Sequence, residues 1–468
     1  MAMKRAYPLF ALASGSLLLM LSACTRSSLP DTERTCDSWS RRDGEPEMDR
    51  SVFAALALPG GGVMALEKRE LVLGGRWSGI RKHDPDGRVA WEMTLGDDGV
   101  VSDGLTRDAT GGVLVAGGIG GKGTVLGTEL TCPGQDTCGF ILKIDDAGTV
   151  QRTILLPGGF LMNTPAVTSD GRIAVEGWFY DTIDLGCGAL TAVEGDHTNR
   201  FVALLSPSGE CLWSRAIVSP KLNGWTQDHL AVDDAGEVAL TIPLWMSSGA
   251  EAIDLGEGPV PFDTEKGSAI AVAKYAPNGD LALAKVVTST SANPSMTVLA
   301  PNVALTRAGE VILSATHKGA TDFGDGPQGS PELVRQAVTK LSATGEVLWT
   351  RDIAVGALVE VGVGPWPFTL ALAPDGAVVL AGVNALGMKI LDDPTPKDAL
   401  YVITYEPDGD VASTQAFPLT GRAGVPALDA SQGDTLLLAG AFAGTLDIGP
   451  SPLVSEGESD AFVATICR

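Results

Sequence analysis

The sequence predicts an all-β chain folded as a β-propeller, most simply seven four-stranded blades closed by an N-terminal strand. Three observations carry this. Turn glycines recur at intervals of roughly 60 to 70 residues, at Asp86-Gly87, Ala147-Gly148, Ser208-Gly209, Asn278-Gly279, Thr344-Gly345 and Asp408-Gly409, each between alternating apolar stretches. A second series lies between them, each a turn followed by a near-continuous apolar strand: "TSDGRIAVEGWF", "DDAGEVALTIPL", "TRAGEVILSATH", "APDGAVVLAGVN" and "SQGDTLLLAGAF". No stretch holds a 3.6-residue apolar period, so each unit contains two hairpins and about four antiparallel strands. Such a unit cannot bury both faces alone and must stack on its neighbours around an axis.

In chain order, Lys4 and Arg5 precede an apolar run from about Pro8 to Leu21, too short for a comfortable membrane span and suited to an export signal. The run ends in "LSAC", which resembles the lipobox of bacterial lipoproteins. That resemblance implies a signal peptide over 1–23, cleavage before Cys24, a lipid on its thiol and a tether over 24–33, with the propeller occupying 34–468. Thr25 is not the Asp associated with inner-membrane retention, so the expected address is the cell envelope, at the outer membrane.

The units run over 51–95, 101–156, 164–218, 228–287, 302–354, 368–419 and 427–467. A third series marks their middles: "TIDLG", "AIDLG", "ATDFG" and "TLDIG". The last unit stops at "DAFVATICR" without the outer strand that carries Trp91, Trp213 and Trp349, and the orphan "TCDSWSRR" near the N-terminus supplies it, with Trp39 at the equivalent position. Closing the ring in this way removes an open sheet edge.

Cysteines give a check on the alignment. With Cys24 assigned to lipid, six remain in an exported chain, and fifteen pairings are open to arithmetic alone. Aligning the last unit on "ALLSPSGECLW" sets Cys467 opposite Cys36. Cys132 and Cys138 share the short loop "TCPGQDTC", which leaves Cys187 for Cys211. The seven-residue "CPGQDTC" is too long for a redox C-x-x-C, and four histidines in the whole chain argue against a metal site; no cofactor is expected.

The phrases "GTLDIG", "SDAFVATI" and "GEVLWTR" look like the repeats of secreted bacterial propeller proteins, including SBBP-type repeats and lipoproteins of myxobacterial style. "KLSATGEVLW" is also similar to the tryptophan-docking repeats of quinoprotein propellers and of the outer-membrane assembly lipoprotein of the β-barrel machinery. Neither resemblance carries a catalytic residue onto this chain. The adjacent cysteine pair expected of quinoprotein dehydrogenases is missing here, and the fourth and sixth units lack the Trp.

Function is bounded more than named. A formal charge of -24, from 57 acidic against 33 basic residues, excludes nucleic acid as a natural partner. There is no G-x-S-x-G elbow, and His83, His197, His229 and His317 are expected to be solvated loop residues without catalytic partners. Asp97-Asp98, Asp233-Asp234 and Asp392-Asp393 fall where turns favour Asp anyway. Non-repeating residues on the face built from inter-unit connections, Trp225, Asp228, His229 and Trp366, are the candidates for contact with a partner. The expected function is that of a monomeric, lipid-anchored platform binding a protein or glycan, the alternative being a propeller enzyme: a carbohydrate hydrolase or lyase, or a degenerate quinoprotein oxidoreductase.

Overall fold

The computed structural model describes residues 38–43, 48–71, 76–96, 100–134, 136–161, 163–192, 199–218, 229–244, 252–262, 269–290, 298–329, 334–356, 368–384 and 399–468. Within them the chain is built of antiparallel strands, and their ladders fall into seven four-strand groups. The first runs from Met48–Ala57 inward of Val63–Leu71 and Arg76–His83 to Val89–Thr94 at the outside. The pattern repeats from Val100–Arg107 out to Val150–Pro157, from Ala166–Val167 out to Cys211–Ile217, from His229–Val232 out to Leu281–Thr290, and from Val298–Leu305 out to Val347–Gly356. Val411–Gln432 is shared, its first part the outer strand of the sixth group and its second part the inner strand of the seventh. Each innermost strand touches the innermost strand of the next group, and the first touches the last, so the ring closes. The chain is a β-propeller.

Closure is made by the orphan N-terminal strand. Trp39–Asp43 pairs antiparallel with Asp460–Cys467, with Trp39 opposite Thr465 and Asp43 opposite Ala461. Cys467 is disulfide-bonded; Cys36 lies outside the described residues, as does Cys24.

The near-continuous apolar runs follow from burial on both faces. Every residue of Ile173–Phe179, Asn199–Leu205, Val238–Leu244, Ala269–Tyr275 and Ala399–Tyr405 is buried. Outer strands such as Val89–Thr94 are half open to solvent. Between successive blades the facing side chains form separate apolar layers. The layer between the second and third blades, for example, joins Leu114 and Ile141 to Ile173 and Phe201.

The recurring tryptophans staple one blade to the next. Trp39, Trp91, Trp213 and Trp349 lie against the turn glycines of the following blade, Gly87, Gly148, Gly279 and Gly409. Gly409 shows why the turn needs glycine: its φ is +88°, and a Cβ there would sit 2.7 Å from the indole of Trp349. Three of these indoles also meet an aromatic ring just before the turn: Trp213 beside Tyr275 at 5.6 Å, Trp349 beside Tyr405 at 6.3 Å and Trp39 beside His83 at 6.0 Å. The tryptophan is absent from the second blade as well as from the fourth and sixth, with Arg152, Leu283 and Ser413 in its register.

The "DLG" phrases are also structural. They form small extra hairpins, Thr182–Asp184 with Ala189–Thr191, Ala252–Asp254 with Pro259–Pro261, and Ala320–Asp322 with Pro327–Gln328. In each the aspartate Oδ1 accepts two backbone N–H groups: Asp184 from Gly186 at 2.8 Å and Gly188 at 3.1 Å, Asp254 from Gly256 at 2.8 Å and Gly258 at 2.9 Å. The apolar partners Ile253 and Leu255 plug the seam between the third and fourth blades. Backbone bonds between Val218 and Asp254 at 2.9 and 2.7 Å tie that hairpin to the preceding blade. Four-strand units read from sequence therefore carry an extra wedge.

Two disulfides fix such excursions: Cys132 to Cys138, and Cys187 of a wedge hairpin to Cys211 of its own outer strand, with sequence separations of 6 and 24. In the chain-entropy picture the longer loop contributes about 1 kcal/mol more. Paired Cys-to-Ala variants at 187 and 211 are therefore expected to lower the urea midpoint further than those at 132 and 138; the reverse order would show that strain or residual structure dominates.

Candidate functional site

Antiparallel connectivity divides the ring into two unlike faces. The turn from inner to second strand and the turn from third to outer strand open on one face; the wedge connections and blade-to-blade connections leave from the other. On the short-turn face the turn carbonyls are taken up by side chains of the preceding blade. Trp91 Nε1 donates to Asp146 O at 3.0 Å, Trp349 Nε1 to Pro407 O at 3.1 Å, and Arg351 Nε to Gly409 O at 2.6 Å. Lysines two residues ahead of the turns do the same work: Lys82 reaches Asp146 O at 3.2 Å and Lys340 reaches Pro407 O at 3.2 Å, while Lys274 reaches Gly309 O at 2.9 Å. The recurrence of lysine at 82, 143, 274 and 340 was visible as a fixed spacing to the turn and is missed when only glycine and tryptophan are aligned.

Of the four candidate contact residues, Trp225, Asp228 and Trp366 lie outside the described residues. His229 opens the innermost strand of the fourth blade, opposite Thr241, and is half-buried. Loss of hydration pushes its imidazole down to about 4, so it is neutral at physiological pH.

The expectation of solvated histidines fails at two positions. His83 is 3% exposed and His317 1%. His83 fills the slot that Tyr275 and Tyr405 fill in other blades, against a docked indole, and its Nδ1 lies 3.2 Å from Gly87 O, which places the proton on Nδ1. Burial pushes its pKa below the usual histidine range. His317 packs on Phe323 and its Nε2 is 3.2 Å from an Asp352 oxygen, in a group shared with Arg335.

In the third blade Glu176 and Arg200 are buried together, Arg200 Nη1 3.7 Å from the carboxylate, with Asn163 donating to the other carboxylate oxygen. Burial pushes the Glu176 carboxyl up, against the opposing pull of Arg200 and Asn163.

The closing seam between the seventh and first blades holds the densest charge network. Arg81 lies between Asp43, Glu67 at 3.1 Å and Glu92 at 2.5 Å, and Asp43 also pairs with Arg50. Burial works against ionisation of Asp43, yet Arg81 and Arg50 outweigh it and hold the carboxyl below the usual range. A cleft of about 180 Å³ opens here, lined by Arg41, Arg42, Asp43, Arg81, His83 and Arg88. Nearer the axis, Arg107 of the second blade donates to Ala57 O at 2.6 Å and pairs with Asp429 of the seventh, bridging over the first blade. These ions hold blades together. Among the described residues no group of three His, Cys, Asp or Glu is placed to hold a metal ion, and no helix is long and apolar enough to cross a membrane.

A second cleft, about 250 Å³, lies on the short-turn face between the second and third blades.

No family model matches the chain, and no curated protein matches it. Among solved structures it is similar to the Dos1 propeller, at 8% identity over 92% of this chain and 95% of that one, with a TM-score of 0.43. It is also similar to a polysaccharide lyase of family PL25, an ulvan lyase, at 9% identity over 90% and 97% with a TM-score of 0.44, and to a Synechocystis apocarotenoid oxygenase at 11% identity over 92% and 93% with a TM-score of 0.38.

Proposed function

We propose that this propeller is an exported, lipid-anchored platform whose loop face binds a protein or a glycan. The observation that carries this reading is the contrast between the two faces. On one, turn carbonyls are engaged by repeating Trp, Lys and Arg side chains, leaving a rigid plate. Between Ile217 and His229 and between Gly356 and Phe368 the sequence runs longer than the turns and includes the non-repeating Trp225, Asp228 and Trp366, while His229 opens the strand that follows the first of these stretches. A stiff ring with variable loops on one side suits recognition, because the scaffold bears the cost of ordering before any partner arrives. A neutral His229 at the edge of that face adds a hydrogen-bonding group without a charge to desolvate.

The export signal and the "LSAC" segment support attachment at Cys24, and the two disulfides fit an oxidising compartment. A Cys24→Ala variant is expected to lose incorporation of an alkyne-labelled fatty acid and to leave the membrane fraction; continued labelling would remove the anchor from the proposal.

The binding test is a glycan array and a cross-linking screen with the mature chain, repeated with Trp225→Ala and Trp366→Ala. Each variant should weaken a captured partner at least about tenfold, as aromatic anchors at an interface do. Unchanged binding in both would place recognition elsewhere. Turnover of any arrayed glycan, seen as shortened chains by mass spectrometry, would instead favour the enzyme reading.

A further inference from the structure

Just ahead of the turn from third to outer strand, each of the first six blades buries one side chain in the seam with the blade before it. In the second to sixth blades it is Ile144, Leu205, Tyr275, Leu341 and Tyr405, none of which takes up a proton near neutrality. In the first blade it is His83, opposite Val89, and the blade before it is the one completed by Trp39–Asp43. The side chain of the six that titrates closest to neutral pH therefore sits at the seam where the two ends of the chain meet. Its bonding differs as well. Tyr275 Oη donates to Leu255 O at 2.8 Å. His83 is 3% exposed, its Nδ1 lies 3.2 Å from Gly87 O, and its buried Nε2 has no hydrogen-bond partner among the described residues. The indole of Trp39 lies against the ring, with 6.0 Å between centroids.

We propose that His83 makes the closing seam a pH-sensitive clasp, in which a proton on Nε2 loosens Trp39–Asp43 from the first blade in mild acid. A buried imidazolium without an acceptor is costly, and turning the ring toward water lifts the indole that packs on it. The charged groups around it are already committed. Arg81, on the same strand, holds Glu67 of the second strand at 3.1 Å and Glu92 of the outer strand, and shares Asp43 of the closing strand with Arg50. Arg42 is paired with Glu456 at 2.6 Å and Asp460 at 2.9 Å, and Arg41 donates to Asp86 O at 2.7 Å. In the turn, Asp84 Oδ1 accepts the N–H groups of Asp86 at 3.0 Å and Arg88 at 2.8 Å, and Arg88 lies 3.5 Å from the Asp86 carboxylate. Burial, the largest influence, keeps the imidazole below the usual histidine range, Arg81 acts in the same direction, and the Gly87 carbonyl, Asp43 and Asp84 do not outweigh them. With the folded value lowered, the contribution to stability is present above the unfolded value, about 6.5, and is lost as pH falls through the folded one. Asp43, itself lowered from the ordinary carboxylate range, titrates further down. The clasp does not depend on what the loop face binds.

The test is amide hydrogen exchange on the full mature chain from about pH 7.5 to about pH 5, each rate divided by the intrinsic rate at that pH. Protection of Trp39–Asp43 is expected to fall at least about tenfold across this range, since one proton taken up on opening allows about tenfold per pH unit. The buried strand Ile173–Phe179 of the third blade should keep its protection. His83→Tyr puts into the slot the residue found there in the fourth and sixth blades, and should hold the closing strand's protection constant over the same range. Should that variant not fold, His83→Phe serves the same end. A ¹³Cε1 titration of wild-type His83 needs no variant, and its midpoint should coincide with the end of the loss of protection. No fall in the wild type, an equal fall in Ile173–Phe179, an equal fall in the His83 variant, or a His83 midpoint at or above about 6.5 would overturn the clasp.

Discussion

Deleting Trp39–Asp43 is expected to abolish the cooperative unfolding transition and leave an aggregating chain. Trp39 is 7% exposed and packs on Gly87 and His83, and truncating such a side chain typically costs about 3–5 kcal/mol. The same segment supplies Asp43 to Arg81 and Arg50, both buried, and stripping a partner from buried ions adds a cost of several kcal/mol, on the order of 3–5. The total approaches the whole stability of a typical domain, about 5–15 kcal/mol. It also bares the edge of Asp460–Cys467, a template for pairing with another chain. Circular dichroism melts and size-exclusion chromatography check this; a soluble monomer with the parent melting temperature would show that the closing strand is peripheral.

Arg81→Met should be the most costly single substitution at the same seam. Arg81 is 5% exposed and Glu67 1%, so the change removes a buried guanidinium from a buried carboxylate, at about 3–5 kcal/mol. The loss should depend on pH with a definite sign. Asp43 has a lowered pKa in the folded chain, so its contribution is present above the unfolded value, near 4, and is lost as pH falls through the folded value. The gap between wild type and variant in urea melts should be widest near neutrality and narrow on acidification below about pH 4. A gap constant across that window would assign the cost to lost packing alone.

The architecture was legible because the same contact is made many times. A tryptophan that must cover a glycine in the next blade forces both residues to recur at a fixed distance, and Trp39 stands out as a copy without its hairpin. The wedge hairpins were legible as phrases but not as strands: three-residue segments such as Ala252–Asp254 give no alternation to read, and their order comes from an aspartate binding two glycine N–H groups. Misreading the histidines had a different cause. A lone His is polar in composition, yet His83 occupies an aromatic slot defined by Trp39, which is 44 positions away in sequence and joined to the first blade only by ring closure. The candidate site was the least legible part, since recognition residues are those that do not repeat, and repetition was the signal.

The closing strand also sets an order in time. Trp39 donates its backbone N–H to Thr465 Oγ1 across a separation of 426 residues. The two strands that close the ring are therefore far apart along the chain, and until they pair, each end of the arc keeps an open strand edge. Contacts so distant in sequence slow folding, and exposed strand edges invite association in the interval. Making a ring from a linear chain thus leaves a period of vulnerability that ends only when the five residues of Trp39–Asp43 find the eight of Asp460–Cys467.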